Sequence, residues 1–138
     1  VVGGEGWGGE VDFCGIGTKD RTQYTLVVDR GNEKGRDRYS PYHPAVLRAI
    51  KQGSDAAHRA GKWVGMCGAF AGDEKAVPLL LGMGLDEFSV SAPLLQKCKA
   101  VIRNADMGEC RELAERILRL PSRTAVENHF ADGEPKAP

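Results

Sequence analysis

The stretch KWVGMC, residues 62–67, is the middle one of three short apolar segments that decide the fold. The other two are VDFCGI at residues 11–16 and LDEFSV at residues 85–90. Each segment has the length of a strand, and those at 11–16 and 62–67 stop at Gly17 and Gly68. Apolar residues on both faces are typical of strands buried in a parallel sheet. We therefore expect three buried strands of an α/β domain.

Helical patterns lie between and after these segments. They are predicted, in chain order, over residues 44–60, 73–81, 93–103, 106–120 and 121–131. Pro44 suits a first turn, and Asp106 followed by Glu109 is an Asp version of the capping box. Pro78 removes a backbone donor, which predicts a bent or shortened helix there. The repeated strand–helix order predicts a parallel sheet, and its two open edges indicate part of a larger α/β fold.

The composition bounds the classes of function. The chain has 138 residues, enough for one domain, and 19 basic residues balance 19 acidic ones. A net charge of zero gives no support to a nucleic-acid or membrane-surface partner. No secretory signal is recognisable in the first residues. The four cysteines contain no CxxC pair, so we expect reduced thiols and a cytoplasmic protein.

Glycine-rich or polar residues follow each predicted strand, where ligands bind in α/β folds. The three loops are GIGTKD at residues 15–20, GMCG at 65–68 and SVS at 89–91. Residues 17–42 form a long polar connection with an apolar insert at 24–28, and such lengths are typical of functional loops.

Three side chains in or near these loops carry chemistry. Asp20 either caps a helix in the insert or binds a hard cation such as Mg²⁺. Cys67, between two glycines, is either a reactive thiol or a small buried hydrophobe. Arg30 either binds a carboxylate or phosphate or is simply solvated. The spacing alone leaves these alternatives open.

Several longer motifs resemble the phosphoenolpyruvate-utilising enzymes, and among them the phosphoenolpyruvate–protein phosphotransferases, the enzyme I group of the bacterial sugar phosphotransferase system. The motifs are GTxDxTQYTL at 17–26, VDRGN at 28–32, GKW at 61–63, GMCG at 65–68, AGDE at 71–74, LLGMGLDEFS at 80–89 and IRN at 102–104. The resemblance extends from about Glu10 to Phe130, which is nearly the whole chain.

This resemblance implies a (β/α)8 TIM barrel, of which residues 10–131 would form the last three βα units and the C-terminal helices. Residues 1–9 would be an unmatched glycine-rich lead-in, and 132–138 a frayed tail. The implied activity moves the phosphoryl group of phosphoenolpyruvate, with Mg²⁺, to a histidine in a separate domain. A small histidine-containing phosphocarrier protein then receives it for sugar uptake. The implied enzyme is a homodimer through its C-terminal domain.

The resemblance also assigns roles to individual residues. Asp20 matches a Mg²⁺ ligand that also faces the substrate, Arg30 matches a phosphoenolpyruvate-binding arginine, and Cys67 matches the proton donor to the enolpyruvate methylene carbon. The family has Asn where this chain has Lys19, which would either bind phosphate as a point charge or repel the metal. Ala69 replaces a family Glu beside Cys67.

Three hypotheses follow for function. The first is the barrel of a phosphoenolpyruvate–protein phosphotransferase, with the isolated chain expected to be inactive because it lacks the acceptor histidine. The second is a pyruvate phosphate dikinase or phosphoenolpyruvate synthase barrel, which shares the cysteine. The third is a non-catalytic, degenerate dimerisation module, which the departures at Lys19 and Ala69 favour.

Overall fold

The structure, a computed structural model, describes residues 10–28 and 39–132. The expected lead-in at 1–9, Arg30 and the tail beyond Asp132 lie outside the described residues. The elements are β1 (Phe13–Gly17), α1 (Thr18–Leu26), α2 (Pro44–Arg59), β2 (Trp63–Cys67), α3 (Ala76–Gly82), β3 (Glu87–Ser89), α4 (Ala92–Asn104), α5 (Met107–Leu118) and α6 (Arg123–Asp132). A 3₁₀ turn, Ala69–Gly72, follows β2. Within the described ranges, no helix has the length and apolar character needed to span a bilayer.

The three strands form one parallel sheet in the order β1–β2–β3, which confirms the predicted α/β class. Each is separated from the next by helices. Strand β3 is shorter than the apolar segment at 85–90 suggested, because only Glu87–Ser89 pairs with β2. The register aligns Gly17, Cys67 and Ser89 at one end of the sheet.

The start of the third helix agrees with the sequence in one respect and differs in another. Asp73 caps the segment as expected, because its Oδ1 accepts a hydrogen bond from the Lys75 amide at 3.0 Å, but α3 itself begins only at Ala76. Pro78 is therefore the third residue of α3, in the first turn, where a backbone N–H needs no helical partner. The expected bend at Pro78 has no cause at this position.

The expectation that the strands are buried on both faces is also wrong for the described residues. Ile16, Val64 and Met66 are buried under the helices, as strand alternation requires. On the opposite face, Phe13 and Trp63 stack with ring centroids 4.6 Å apart and are about half exposed. No described element covers that second face, which we call the open face.

Helices α3 and α5 cross closely at Gly82. A Cβ at Gly82 would overlap the carbonyl oxygen of Cys110 and come within 3.0 Å of Ala114 Cβ. We expect Gly82→Ala to lower the free energy of unfolding by about 1–3 kcal/mol, measured by urea denaturation. The matched control is Gly53→Ala in α2, where the nearest atom would be Ile16 Cδ1 at 3.9 Å. That change is expected to stabilise by about 1 kcal/mol, and destabilisation by Gly53→Ala of the same size would contradict the account.

Asp86 joins the end of α2 to the sheet. Its Oδ2 lies 2.8 Å from His58 Nε2 and accepts a hydrogen bond from the Val64 amide at 2.8 Å. Partial burial opposes the charged form, but the His58 and Val64 hydrogen bonds outweigh it and lower the pKa of Asp86 below its ordinary 3.8. The resulting stabilisation is complete above about pH 4 and is lost as the pH falls through the lowered pKa.

Asp86→Asn is therefore expected to lower the free energy of unfolding at pH 7 by about 0.5–1 kcal/mol, a small figure because the pair is partly exposed. The gap between the two proteins should shrink below pH 3.8, followed by urea titrations at several pH values. Asp12→Asn, at an exposed position before β1, is the control. A gap that stays constant down to pH 2 would show that the charge of Asp86 is not the cause.

Candidate active site

The carboxyl ends of the three strands lie at one edge of the sheet, where hydrogen bonds join the segments that follow the strands. Thr18 Oγ1 donates a hydrogen bond to the Cys67 carbonyl at 3.0 Å, which ties the start of α1 to the end of β2. The Gly68 amide donates to the Ser89 carbonyl at 3.4 Å, which ties the next loop to β3. The structure thus brings together the three loops that the sequence placed at the strand ends.

Cys67 is exposed at this edge, and it lies on the same side of β2 as Trp63, which is the open face. Its Sγ is 3.9 Å from the carbonyl oxygen of Ile16. Gly68 follows with φ of 111°, a conformation that a side chain would strain, so the glycine is needed for the chain to turn. The exposure favours the reactive-thiol interpretation over that of a buried hydrophobe.

The other cysteines differ in their surroundings. Cys98 and Cys110 are buried, and burial raises the pKa of both thiols, with the charges of Asp106 and Glu109 adding to the effect at Cys110. Cys14 is half-buried. All four thiols are free, as expected, and Cys67 is the exposed one.

Asp20 lies in the first turn of α1 and is exposed. A Cβ at Gly17 would lie 3.5 Å from Asp20 Oδ2, so the carboxylate lies beside Gly17. Gly17 is the register partner of Cys67, and adjacent strands are about 4.8 Å apart. Asp20 and Cys67 therefore both lie at the carboxyl ends of the paired strands β1 and β2. The helix-cap alternative for Asp20 is wrong, because the cap position is Gly17 and no side chain bonds there.

The remaining predicted residues are placed less fully. Lys19 is exposed beside Asp20, and its backbone carbonyl accepts a hydrogen bond from Tyr39. Ala69 is exposed at the start of the 3₁₀ turn. Arg30 lies outside the described residues, so its expected place in this site stays a prediction.

Three side chains that contact the segments around this edge were not predicted from the sequence. Thr18 is a buried hydroxyl directly after β1, and Tyr42 bonds Asp73 from a distant loop. Glu87 lies across Gly65 on the open face, where a Cβ at Gly65 would overlap its carboxylate. A threonine after the strand-ending glycine was a usable signal for the first of these, whereas the other two depend on contacts between distant segments.

The donor set at this edge suits a metal ion that is shared with a substrate. Among residues 10–28 and 39–132, no group of three His, Cys, Asp or Glu side chains is placed to hold a metal. Asp20 offers one hard carboxylate. Because Mg²⁺ is commonly bound by one or two carboxylates together with substrate phosphates, Asp20 fits such an ion in part.

A cleft of about 510 Å³ lies away from this edge, near Asp86. Its charged groups include two close pairs, Lys51 with Asp55 and His58 with Asp86. Asp86 precedes β3, so this cleft borders the amino end of that strand. Ligands of parallel α/β sheets bind at the carboxyl ends, which favours the edge with Asp20 and Cys67.

Comparison with known proteins identifies the family of the chain. Residues 7–107 match the family described as PEP-utilising enzyme, PEP-binding domain, where PEP is phosphoenolpyruvate. The chain belongs to this family. The resemblance found in the sequence motifs is thereby confirmed.

Three relatives with the same name illustrate the match. The chain is 54% identical over 118 residues to the phosphoenolpyruvate-protein phosphotransferase of Haemophilus influenzae, which covers 86% of this chain and 20% of the relative. It is 54% identical over 110 residues to the enzyme of that name from Enterococcus faecalis, covering 80% and 19%. For Buchnera aphidicola subsp. Baizongia pistaciae the identity is 52% over 119 residues, covering 86% and 21%. The chain thus spans about a fifth of the length of these relatives.

Proposed function

We propose that this chain forms the phosphoenolpyruvate-binding edge of a phosphoenolpyruvate–protein phosphotransferase, which moves the phosphoryl group to a protein histidine. The observation that supports the proposal is the register pairing of Gly17, beside which the Asp20 carboxylate lies, with the exposed Cys67. The family match adds the substrate class, and the names of the relatives add the protein acceptor.

The proposed chemistry divides between these two side chains. Asp20 would hold Mg²⁺, which supplies positive charge to the phosphoryl oxygens when it is bound. Transfer breaks the bond between phosphorus and the enol oxygen and forms a bond from phosphorus to the histidine nitrogen, leaving the enolate of pyruvate. The Cys67 thiol then donates its proton to the methylene carbon, and the thiolate regains a proton from water. Lys19 and Arg30 would bind the anionic substrate.

For the fold, we propose that the sheet is part of a (β/α)8 barrel whose interior face is the open face. Support comes from the parallel order, from the helices on the other face, and from the exposed Phe13–Trp63 stack, which needs a cover. In a barrel interior that stack would be buried among side chains of the other strands. We also propose that the whole enzyme is a homodimer. Its protein partner would be a histidine-containing phosphocarrier, and its location the cytoplasm.

A hybrid enzyme tests the function. In the Haemophilus influenzae relative, the matching segment is replaced by the 118 residues of this chain that align with it. We expect this hybrid to release pyruvate from phosphoenolpyruvate in the presence of Mg²⁺ and phosphocarrier protein, and to form phosphohistidine. The unaltered relative is the positive control. A hybrid that folds, as judged by circular dichroism, and releases no pyruvate contradicts the proposal.

The degenerate-module alternative is favoured by Lys19 and Ala69, both exposed at the edge. It makes a distinct prediction in the same hybrid. If these residues disable the site, Lys19→Asn together with Ala69→Glu should raise pyruvate release by about tenfold or more, since each adjusts charge next to the reacting groups. Unchanged release on reversion removes the basis of this alternative.

A further inference from the structure

The segment 39–42, which we call the tyrosine strap, contacts the first turn of α1, which carries Asp20. The Tyr39 hydroxyl donates a hydrogen bond to the Lys19 carbonyl at 3.3 Å. Lys19 is the residue before Asp20 in the first turn of α1. The contact therefore restrains the backbone that carries the Asp20 carboxylate.

The same strap contacts the 3₁₀ turn that follows Cys67. The Tyr42 hydroxyl donates to Asp73 Oδ2 at 2.7 Å, and Asp73 ends the 3₁₀ turn that begins two residues after Cys67. The Tyr42 ring packs edge-on against Phe70 of that turn, with centroids 4.9 Å apart. Burial and the Asp73 carboxylate raise the pKa of Tyr42 well above its ordinary 10.0, so the hydroxyl remains a donor.

Local hydrogen bonds fold part of the strap into a turn. The Tyr42 amide donates to Ser40 Oγ at 3.2 Å, and the His43 amide donates to the Ser40 carbonyl at 3.1 Å. Pro41 fixes one backbone angle between the tyrosines, and α2 begins at Pro44. These bonds hold residues 40–43 in one turn directly after Tyr39.

We propose that Tyr39 and Tyr42 are positioning residues, which fix Asp20 and Cys67 relative to each other by joining one short segment to the first turn of α1 and to the 3₁₀ turn after Cys67. The proposal rests on the proposed function for the identity of the site. Neither hydroxyl needs to touch the substrate. The expected benefit is preorganisation, because small misplacements of reacting groups reduce rates strongly.

Crosslinking measures this relative placement without any catalysis. In this chain, Asp20→Cys with Cys14→Ala leaves position 20 and Cys67 as the accessible thiols, since Cys98 and Cys110 are buried. A short bifunctional maleimide joins the pair, and the rate of the second, intramolecular step reports how well the two positions are held. Tyr42→Phe, which keeps the ring and removes the hydroxyl, is expected to slow that step about tenfold, and Tyr39→Phe about threefold.

Matched variants separate positioning from folding. Tyr24→Phe alters a tyrosine that is 78% exposed and should leave the rate unchanged. Asp73→Asn keeps one oxygen acceptor and should slow the step less than Asp73→Ala, which removes the acceptors of both Tyr42 and the Lys75 amide. Unchanged crosslinking in both strap variants overturns the proposal.

The hybrid enzyme supplies the catalytic measurement. Tyr42→Phe is expected to lower kcat about tenfold and to leave KM for phosphoenolpyruvate within about twofold, because the substrate contacts remain. Slowed crosslinking with unchanged kcat overturns the positioning role. A hybrid with both tyrosines intact and no activity contradicts the proposed function instead, and crosslinking then decides on the strap by itself.

Discussion

Asp20→Asn in the hybrid enzyme is expected to lower kcat/KM for phosphoenolpyruvate by about 100-fold or more. The amide keeps the size of the side chain beside Gly17 but removes the negative charge that the proposal assigns to Mg²⁺. Steady-state pyruvate release at a series of Mg²⁺ concentrations is the measurement. The variant should require more Mg²⁺ for half-maximal rate, since a ligand of the ion has been weakened.

The control for this change is a carboxylate at the opposite end of the same strand. Asp12→Asn removes an exposed carboxylate before β1, at the end of the sheet away from the site. It should leave both kcat/KM and the Mg²⁺ requirement within about twofold of the parent. Equal losses of kcat/KM in the two variants would mean that Asp20 acts through general electrostatics or stability. That result would contradict its assignment as a Mg²⁺ ligand.

Cys67→Ala is the second change with a large expected effect. Removal of a general acid lowers rates by about 100-fold or more, and we expect this loss in pyruvate formation by the hybrid. Phosphorylation of the acceptor histidine should be affected less in a single turnover, because the phosphoryl group leaves before the carbon is protonated. Rapid-quench measurement of both products distinguishes the two steps.

Cys14→Ala is the matched control, since Cys14 lies on the adjacent strand and alternation directs it to the helix-covered face. Its effect on the single-turnover rate should be small. If Cys67→Ala leaves pyruvate formation intact, the proposed proton donor is wrong even where phosphoenolpyruvate binding is retained.

Much of the fold could be predicted because its signals are local. Pro44 marks the start of α2, and the Asp106 side chain accepts a hydrogen bond from the Glu109 amide at 3.0 Å, as the capping-box pattern indicated. Gly61, with φ of 71°, follows the end of α2 as expected. The effect of Pro78 was predicted wrongly, because the sequence does not show how long the turn before α3 is. With α3 beginning at Ala76, Pro78 lies in the first turn and not in the helix interior.

The site could be predicted in part for a geometrical reason. Parallel strands bring their carboxyl ends to one edge of the sheet. Asp20 and Cys67 could therefore be assigned to that edge from the sequence alone. The tyrosine strap could not be predicted, because it depends on how residues 39–42 cross two loops that are distant in sequence. The open face was also missed, since the residues of β1 and β2 are apolar whether or not described elements cover them.

Protection of Cys67 by substrate tests the central claim most directly. The hybrid enzyme is treated with iodoacetamide, and alkylation of each cysteine is followed by mass spectrometry with and without phosphoenolpyruvate and Mg²⁺. Saturating substrate is expected to slow alkylation of Cys67 about tenfold or more, while Cys14 reacts at the same rate in both cases. An unchanged rate at Cys67 under substrate turnover would place phosphoenolpyruvate elsewhere and contradict the account.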